Sequence, residues 1–541
     1  MEKKKQAAET EEIPSTAMDD TISQVPIHIL HHILCFLSQK EAVRTCLLSK
    51  QWRHMGTTRP NLDFFEEWFD NTQENFVSVV DRTLQGYSDQ NLSIHKLHLH
   101  LSRVSRPVIS LLDKWISMIP ALKIKSFKFN IRSSSPAYYD LPSAVFLAES
   151  LEELHLCQCK LSPVESVRFK RLRSLTLEQV QVDDGTLENI ISGCLLLMRL
   201  VLKECQELRN VRLSEVASPG LNHFELNNCQ WIEGRSIEID VPNIEMVSIV
   251  GLWIWSQCQS TFFLSRLTSL HLCAVILSSE SFDLLSFGCP TLASLTLINC
   301  SGFEEFHLAS DSVKFLRIST CEKFLKGVTI SAPNILSFTF IAGIPQAPDT
   351  FSFTTNSRFW YSKVILSSYK HNPDLTWWFL KLRRVLKALS GSQIDLTLQM
   401  NSGSHLDMPC RAVDGSRLLS EEPPMMLMNL EFTTSKCHTE SWYSDFTNDL
   451  FRVCRPSHVW DCRLVGRSAR NHRLSEFQFN ILLANMSLRT ETYFWRHDLE
   501  QVHVNTVDGQ LVQWTDLSEL RNRAYDELIC LKLKWRDQKT A

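Results

Sequence analysis

One template, apolar-x-x-apolar-x-apolar, returns along this chain at nearly even intervals, and no other feature narrows the possible folds as far. Two weak copies, IHKLHLHL from Ile94 and IKSFKFNI from Ile124, precede LEELHLCQCKL at Leu151 and LRSLTLEQVQV at Leu172. The series continues at Leu197, Leu221, Ile244, Leu267, Leu292, Val313 and Ile335. Counted from the middle apolar residue, the spacing is 30 at the first step and between 21 and 27 at the other nine. Within each copy, apolar residues alternate with polar ones, as a half-buried strand requires. A strand of five residues cannot bury its own apolar face. Units of this length therefore stack on their neighbours as a quasi-one-dimensional solenoid with parallel strands.

The period and pattern resemble the leucine-rich repeat, in which each unit gives one strand to a parallel sheet and a return segment behind it. Cys159, Cys205, Cys229, Cys300 and Cys321 stand three residues after the second strand apolar. The resemblance assigns that position to Asn or Cys at the turn out of the strand. Gly193-Cys194 and Gly288-Cys289-Pro290 precede Leu197 and Leu292 at matching distance, as in the cysteine-containing subclass. These thiols read as structural: Cys157-x-Cys159 lacks a second ligand pair at zinc spacing, and a thiol in an apolar wall is inert. The returns DDGTLENIISGC after Val182 and SSESFDLLSFGC after Leu277 have helical spacing, whereas shorter ones such as 204–220 read as loops or single turns. After about residue 345 the pattern weakens. PDLTWWFLKLRRVLKALSG and SDFTNDLFRVC read as helices, IDLTLQM and LMNLEFTT as strands, and MPCRAVDGSRLLSEEPP as a loop. The segment is read as degenerate repeats that cap the solenoid, with a separate α+β module as the alternative.

Ahead of the repeats, residues 22–54 read ISQVPIHILHHILCFLSQKEAVRTCLLSKQWRH. Pro26 suits the first position of a helix, and Leu30, Ile33, Leu34 and Leu37 then share one face. Ser38 followed by Glu41 is a capping box for a second helix carrying Val43, Cys46 and Leu47, and Ser49 can cap a third that carries Trp52. Three short helices in about forty residues bury little on their own, so such a unit needs a partner.

This segment resembles the plant F-box. The matching residues are Pro26, Ile33, Leu34, Phe36, Leu37, Lys40, Glu41, Ala42, Val43, Arg44, Thr45, Leu48, Ser49, Lys50, Trp52 and Arg53, followed by Pro60-Asn-Leu-Asp63. Val25, Ile27-His28 and Gly56 stand where Leu, Asp-Glu and Trp are usual, which lowers the adaptor affinity the resemblance implies. The resemblance implies a substrate-receptor subunit of a Skp, cullin and F-box ubiquitin ligase. Its F-box residues Pro26, Leu30, Ile33, Leu34, Leu37, Val43, Leu47 and Trp52 dock on the Skp adaptor, and through it a cullin, while the repeats hold a target protein. The fold expected is α/β: a three-helix F-box, an irregular leucine-rich-repeat solenoid with parallel strands lining its concave face, and a C-terminal α/β cap. The divisions expected are a disordered tail over 1–19, the F-box over 20–60, linker helices over 61–93, repeats over 94–345, and degenerate repeats or a cap module over 346–541. The alternative is a repeat scaffold or hormone co-receptor with a vestigial F-box.

Composition bears on what the chain meets. Its 56 Lys and Arg against 60 Asp and Glu leave no basic field for nucleic acid. The N-terminus lacks the apolar core of a signal peptide, and the longest apolar runs, such as Met246 to Trp255, fall short of the ~20 residues of a membrane helix. An intracellular protein of nucleus or cytoplasm, with its 17 cysteines mostly reduced, is expected. His28, His31 and His32 read as surface histidines, for no carboxylate or thiol completes a metal set. No nucleophile elbow, phosphate loop or zinc-protease motif occurs, so neither catalysis nor a cofactor is expected. Strand alternation puts His155, Arg199, Glu225, His271 and Arg317 on the concave face, where a target is expected to bind. Trp253, Trp255, Trp377 and Trp378 read as core residues, with exposed anchors of a binding site as the alternative.

Overall fold

The computed structural model describes residues 26–37, 39–45, 47, 52, 58–69, 73–102, 106–132, 138–164, 166–227, 234–255, 264–277, 289–320, 325–343, 347–368, 375–400, 423–434, 439–461, 475–486, 494–523 and 529–536. The chain divides into two compact units, Met1–Gln181 and Val182–Ala541.

In the first unit, helices α1 (Ile27–Phe36) and α2 (Gln39–Thr45) precede a five-stranded parallel sheet. Its strands are Asn61–Phe65, Lys96–Leu101, Ser126–Ile131, Glu153–Cys157 and Ser174–Glu178, paired in chain order. Helices α3 (Gln73–Asp89) and α4 (Arg106–Met118) are the first two returns. The sheet therefore begins earlier than the first recognised copy of the template. Asn61–Phe65 lies in the stretch expected to hold linker helices, yet Leu62 and Phe64 point inward like the paired apolar residues of every later strand.

The second unit has the same kind of architecture. Strands Arg199–Lys203, His223–Asn227, Met246–Val250, Ser269–Cys273, Ser294–Ile298, Phe315–Thr320 and Ser337–Gly343 pair in parallel, each with the next. Tyr361–Ser368, Gln393–Met400, Met425–Thr434 and Cys454–Asp461 extend the series without a break in direction. The segment after 345 is thus built of further turns, with α6 (Leu375–Ala388) and α7 (Glu440–Val453) behind the sheet, as α5 (Asp184–Ser192) is behind an earlier turn. At the end the direction reverses. Ile529–Trp535 pairs antiparallel with Cys454–Asp461, and Leu499–Thr506 pairs antiparallel with Ile529–Trp535. Two short helices, α8 (Glu476–Met486) and α9 (Leu517–Asn522), accompany this closing part.

Several short returns are strands rather than loops. Asn210–Ser214, Arg235–Asp240, Trp253–Trp255 and Ile276–Leu277 form a second parallel sheet, and Glu305–Ala309, Gly327–Ser331 and Thr350–Thr354 a third. The correction has a physical cause: Val211 with Leu213 and Ile237 with Ile239 alternate inward, so these returns have the period of a strand and an apolar layer to cover. Trp253 and Trp255 are buried here, and Trp378 is buried on α6; the side chain of Trp377 lies outside the described residues. The return after Leu277, and the turns holding Cys229 and Cys321, also lie outside them.

Five exits from the long parallel sheets, here called the front sheet, use the same turn. Gln158, Gln179, Glu204, Ala274 and Asn299 have φ between 50° and 60°, a left-handed conformation uncommon for residues with a side chain. At four of them it aims the backbone N–H at the next turn of the solenoid: Gln158 donates to the carbonyl of Glu178 at 3.0 Å, Glu204 to Asn227 at 2.6 Å, Ala274 to Ile298 at 2.7 Å and Asn299 to Ser319 at 2.8 Å. The residue that follows faces inward. Cys159 and Cys205 are buried there, as the repeat pattern requires, and the Cys300 thiol, half-buried, donates to the carbonyls of Leu272 and Ile298. Burial pushes the thiol of Cys194, at the end of α5, up to about 12.

Candidate interaction surfaces

Helix α1, IHILHHILCF, is apolar on more than one side, and the structure separates those sides. Leu30 and Leu34 turn inward and pack with Ala42 of α2 and Trp52, with Leu37 closing against this small core. Ile29, Ile33 and Phe36 point outward, Phe36 at 77% exposure, and Leu47 beyond α2 is 82% exposed. Of the residues expected to meet the adaptor, Leu30, Leu34 and Trp52 are therefore core residues of the segment itself. The correction follows from size: their inward packing gives this small segment an apolar core of its own among the described residues. Pro26, Ile33 and Leu47 are exposed. Val43 lies on α2, and its side chain is outside the described residues. The pattern of the sequence did not single out Ile29 as an outward group, although its position one residue from Leu30 carries that signal.

The second surface is the open face of the front sheet. In the first unit the register aligns Asp63, His98, Lys128, His155 and Thr176 in one row. His98 stands edge-on to Phe65, with ring centroids 4.7 Å apart. Burial pushes its imidazole down to about 4, against the opposing pull of Asp63 at 3.9 Å. His155 lies 3.6 Å from Glu178.

In the second unit the corresponding row runs Val201, Glu225, Ser248, His271, Thr296, Arg317, Thr339, Lys363, Asp395, Asn429 and His458. Glu225, His271 and Arg317 thus share a row, as their alternation suggested. Arg199 does not: it is in register with His223, two residues away, and reaches Glu225 diagonally at 3.9 Å. Lys203 approaches the same carboxylate at 3.4 Å. Burial, and then the Arg317 guanidinium, push His271 below the ordinary histidine range. Farther along, Tyr361 donates to Asp395 at 2.6 Å, Asn429 donates to the other Asp395 oxygen at 2.7 Å, and the Trp460 indole donates to Asn429 at 2.9 Å. This polar chain fixes four side chains across consecutive strands. The strand carrying Asp395 was legible as IDLTLQM, but the network depends on register between turns of unequal length, which spacing alone does not give.

Among the described residues, no helix is long and apolar enough to cross a membrane.

Comparison with known proteins joins these surfaces to recognised families. Residues 22–62 match the F-box domain model. Residues 84–257 and 255–356 match the model described as At1g61320/AtMIF1, LRR domain, together just over half of the chain. Three Arabidopsis thaliana proteins are similar. F-box/LRR-repeat protein 25 is 30% identical over 233 residues, 42% of this chain and 85% of that protein. F-box protein At5g03100 is 32% identical over 221 residues, 40% of this chain and 66% of that protein. F-box/FBD/LRR-repeat protein At3g26920 is 31% identical over 212 residues, 39% of this chain and 48% of that protein. The match thus spans less than two thirds of the length of the last two.

Proposed function

Because the chain belongs to the plant F-box/LRR-repeat proteins, we propose that it is the target-binding subunit of a Skp, cullin and F-box ubiquitin ligase. The observation that carries this reading is the outward apolar strip of α1. Ile29, Ile33 and Phe36 are exposed along one side of α1, on a segment whose core among the described residues is four side chains and a flanking leucine. Apolar side chains gathered on one side of so small a unit suit burial against another protein. The Skp adaptor is the proposed partner at this strip, and a cullin is reached through it.

The repeats supply the second half of the function. Their open face presents side chains from parallel strands at about 4.8 Å intervals on a hydrogen-bonded wall, a rigid frame for a target protein. His155 belongs to that face in the first unit and Arg199, Glu225, His271 and Arg317 in the second, and the target-binding role is proposed for these residues. The chain itself performs no covalent chemistry in this reading; it raises the effective concentration of a target lysine near an activated ubiquitin.

The test is co-purification of the full chain with a Skp adaptor, followed by ubiquitination of captured proteins. Ile33→Asp with Phe36→Asp should abolish adaptor capture and leave the bound targets unchanged. If the double variant holds the adaptor as well as the parent chain, the strip is not the docking surface. If the parent chain itself captures no adaptor, the repeat-scaffold reading with a vestigial F-box replaces this one.

A further inference from the structure

The open face of the second unit is segregated by charge. Six consecutive strands, from Met246–Val250 to Tyr361–Ser368, contain no Asp or Glu at any position. Carboxylates return on the strands to either side, and there they are engaged: Glu225 by Arg199 and Lys203, Asp395 by Tyr361 and Asn429. Inside the acid-free window lie Arg317 and Lys363. Neither has an ion-pair partner among the described residues, although eighteen other ion pairs are formed there.

The side chains around these two cations alternate in size. Phe315 is in register with Ser337, and Ser337 with Tyr361; one step along, Arg317 is in register with Thr339, and Thr339 with Lys363. Large, small, large is thus repeated at two successive outward positions. The small middle strand is the floor of a trough, and Phe315 with Arg317 on one side and Tyr361 with Lys363 on the other are its walls. The walls stand two strand spacings apart, about 9.6 Å between backbones, which admits one extended chain. The Ser337 and Thr339 hydroxyls on the floor can meet its backbone groups. Phe315 is about half exposed, an aromatic surface with nothing over it in the described structure.

We propose that this trough binds an extended peptide segment of a target protein that carries two adjacent carboxylate side chains. The inference rests on the receptor reading above and specifies the chemistry of the target. Successive side chains of an extended strand project to opposite sides, so neighbouring Asp or Glu residues reach Arg317 and Lys363 together. The three strands of the trough carry two cations and no carboxylate, Asp395 lying one strand beyond in register with Lys363 and held by Tyr361 and Asn429. The two cations attract such a segment and repel a basic one.

The test uses the full chain and a fluorescein-labelled probe, Ser-Val-Thr-Glu-Glu-Thr-Val-Ser, against its Gln-Gln counterpart, a Lys-Lys counterpart and a version with one phosphoserine in place of the Glu pair, by fluorescence polarisation at low and moderate salt. The Glu-Glu probe should bind at least tenfold more tightly than the Gln-Gln probe, with an advantage that shrinks as salt rises. Arg317→Glu and Lys363→Glu should each remove that advantage. Thr339→Trp, which fills the floor and keeps both cations, should lower affinity for the Glu-Glu probe as well. Lys326→Glu, just ahead of the strand Gly327–Ser331 in the third sheet, should change nothing. Equal binding of the Glu-Glu and Gln-Gln probes overturns the proposal, as does preference for the phosphoserine probe alone or tight binding by the Thr339→Trp protein. Adaptor capture, measured on the same preparation, reports separately on the receptor reading.

Discussion

Leu30 and Ile33 are neighbours on one helix with opposite fates, and their substitution separates folding from binding. Leu30→Ala or Leu34→Ala opens a cavity in a core of very few side chains, and each should cost about 2–5 kcal/mol of stability in the N-terminal segment, seen as loss of its protection in hydrogen exchange. Ile33→Ser removes an exposed group, so it should leave that protection within about 0.5 kcal/mol of the parent value while weakening adaptor capture. Hydrophobic periodicity could not make this division in advance. A short helix with apolar residues at positions 29, 30, 33, 34, 36 and 37 has two apolar sides, and only the packing of Ala42 and Trp52 says which one is inside. His98 gives a second test at this scale. An unfolded histidine titrates near about 6.5, whereas burial beside Phe65 holds His98 near about 4. The folded state binds that proton less readily, so the stability His98 contributes is complete above the unfolded value and is lost as pH falls through the folded one. Urea unfolding at pH 7 and pH 4.5 should show a smaller acid loss for His98→Gln than for the parent chain. The thiols behave in the same spirit: Cys159 and Cys205, buried in their turns, and Cys194, held protonated by burial, should resist iodoacetamide until the chain is unfolded.

At the scale of the element, the left-handed turn recurs at five strand exits. A residue with a side chain pays about 1–2 kcal/mol for that conformation, and glycine at the same place gives part of this back through greater freedom of the unfolded chain. Ala274→Gly should therefore raise stability by up to about 1 kcal/mol, and Ala274→Val, β-branched at φ 60°, should lower it; paired thermal unfolding curves check both signs. The front strands were legible because their Leu, Ile and Val repeat at one spacing. All eleven recognised copies fall on strands of the front sheet. The first strand escaped because NLDFF follows directly on the N-terminal motif and lacks the preceding apolar position, and the strands of the second and third sheets escaped because a short return with two inward groups does not stand out from a loop. In the same way the charge segregation of the open face exists only in register, since Arg317 and Lys363 are 46 positions apart in the chain and two strands apart in the sheet.

At the scale of the whole molecule, the last two strands of the second unit decide how the array ends. Ile529–Trp535 covers the outer edge of Cys454–Asp461, while Arg455 pairs with Asp498 and lies over the Trp535 ring. Chains ending at residue 498 should expose the backbone donors and acceptors of Cys454–Asp461 and associate through them, so light scattering should detect oligomers that the full chain does not form. An array built only of parallel turns carries no instruction for its own length, since each turn offers the next the same edge it received. The reversed pair supplies a stop, and it also fixes where growth can happen: a duplicated turn can be spliced between existing turns, where both neighbours accept it, but not beyond the final hairpin. Descendants of such a chain can lengthen or shorten from within while inheriting the same terminus.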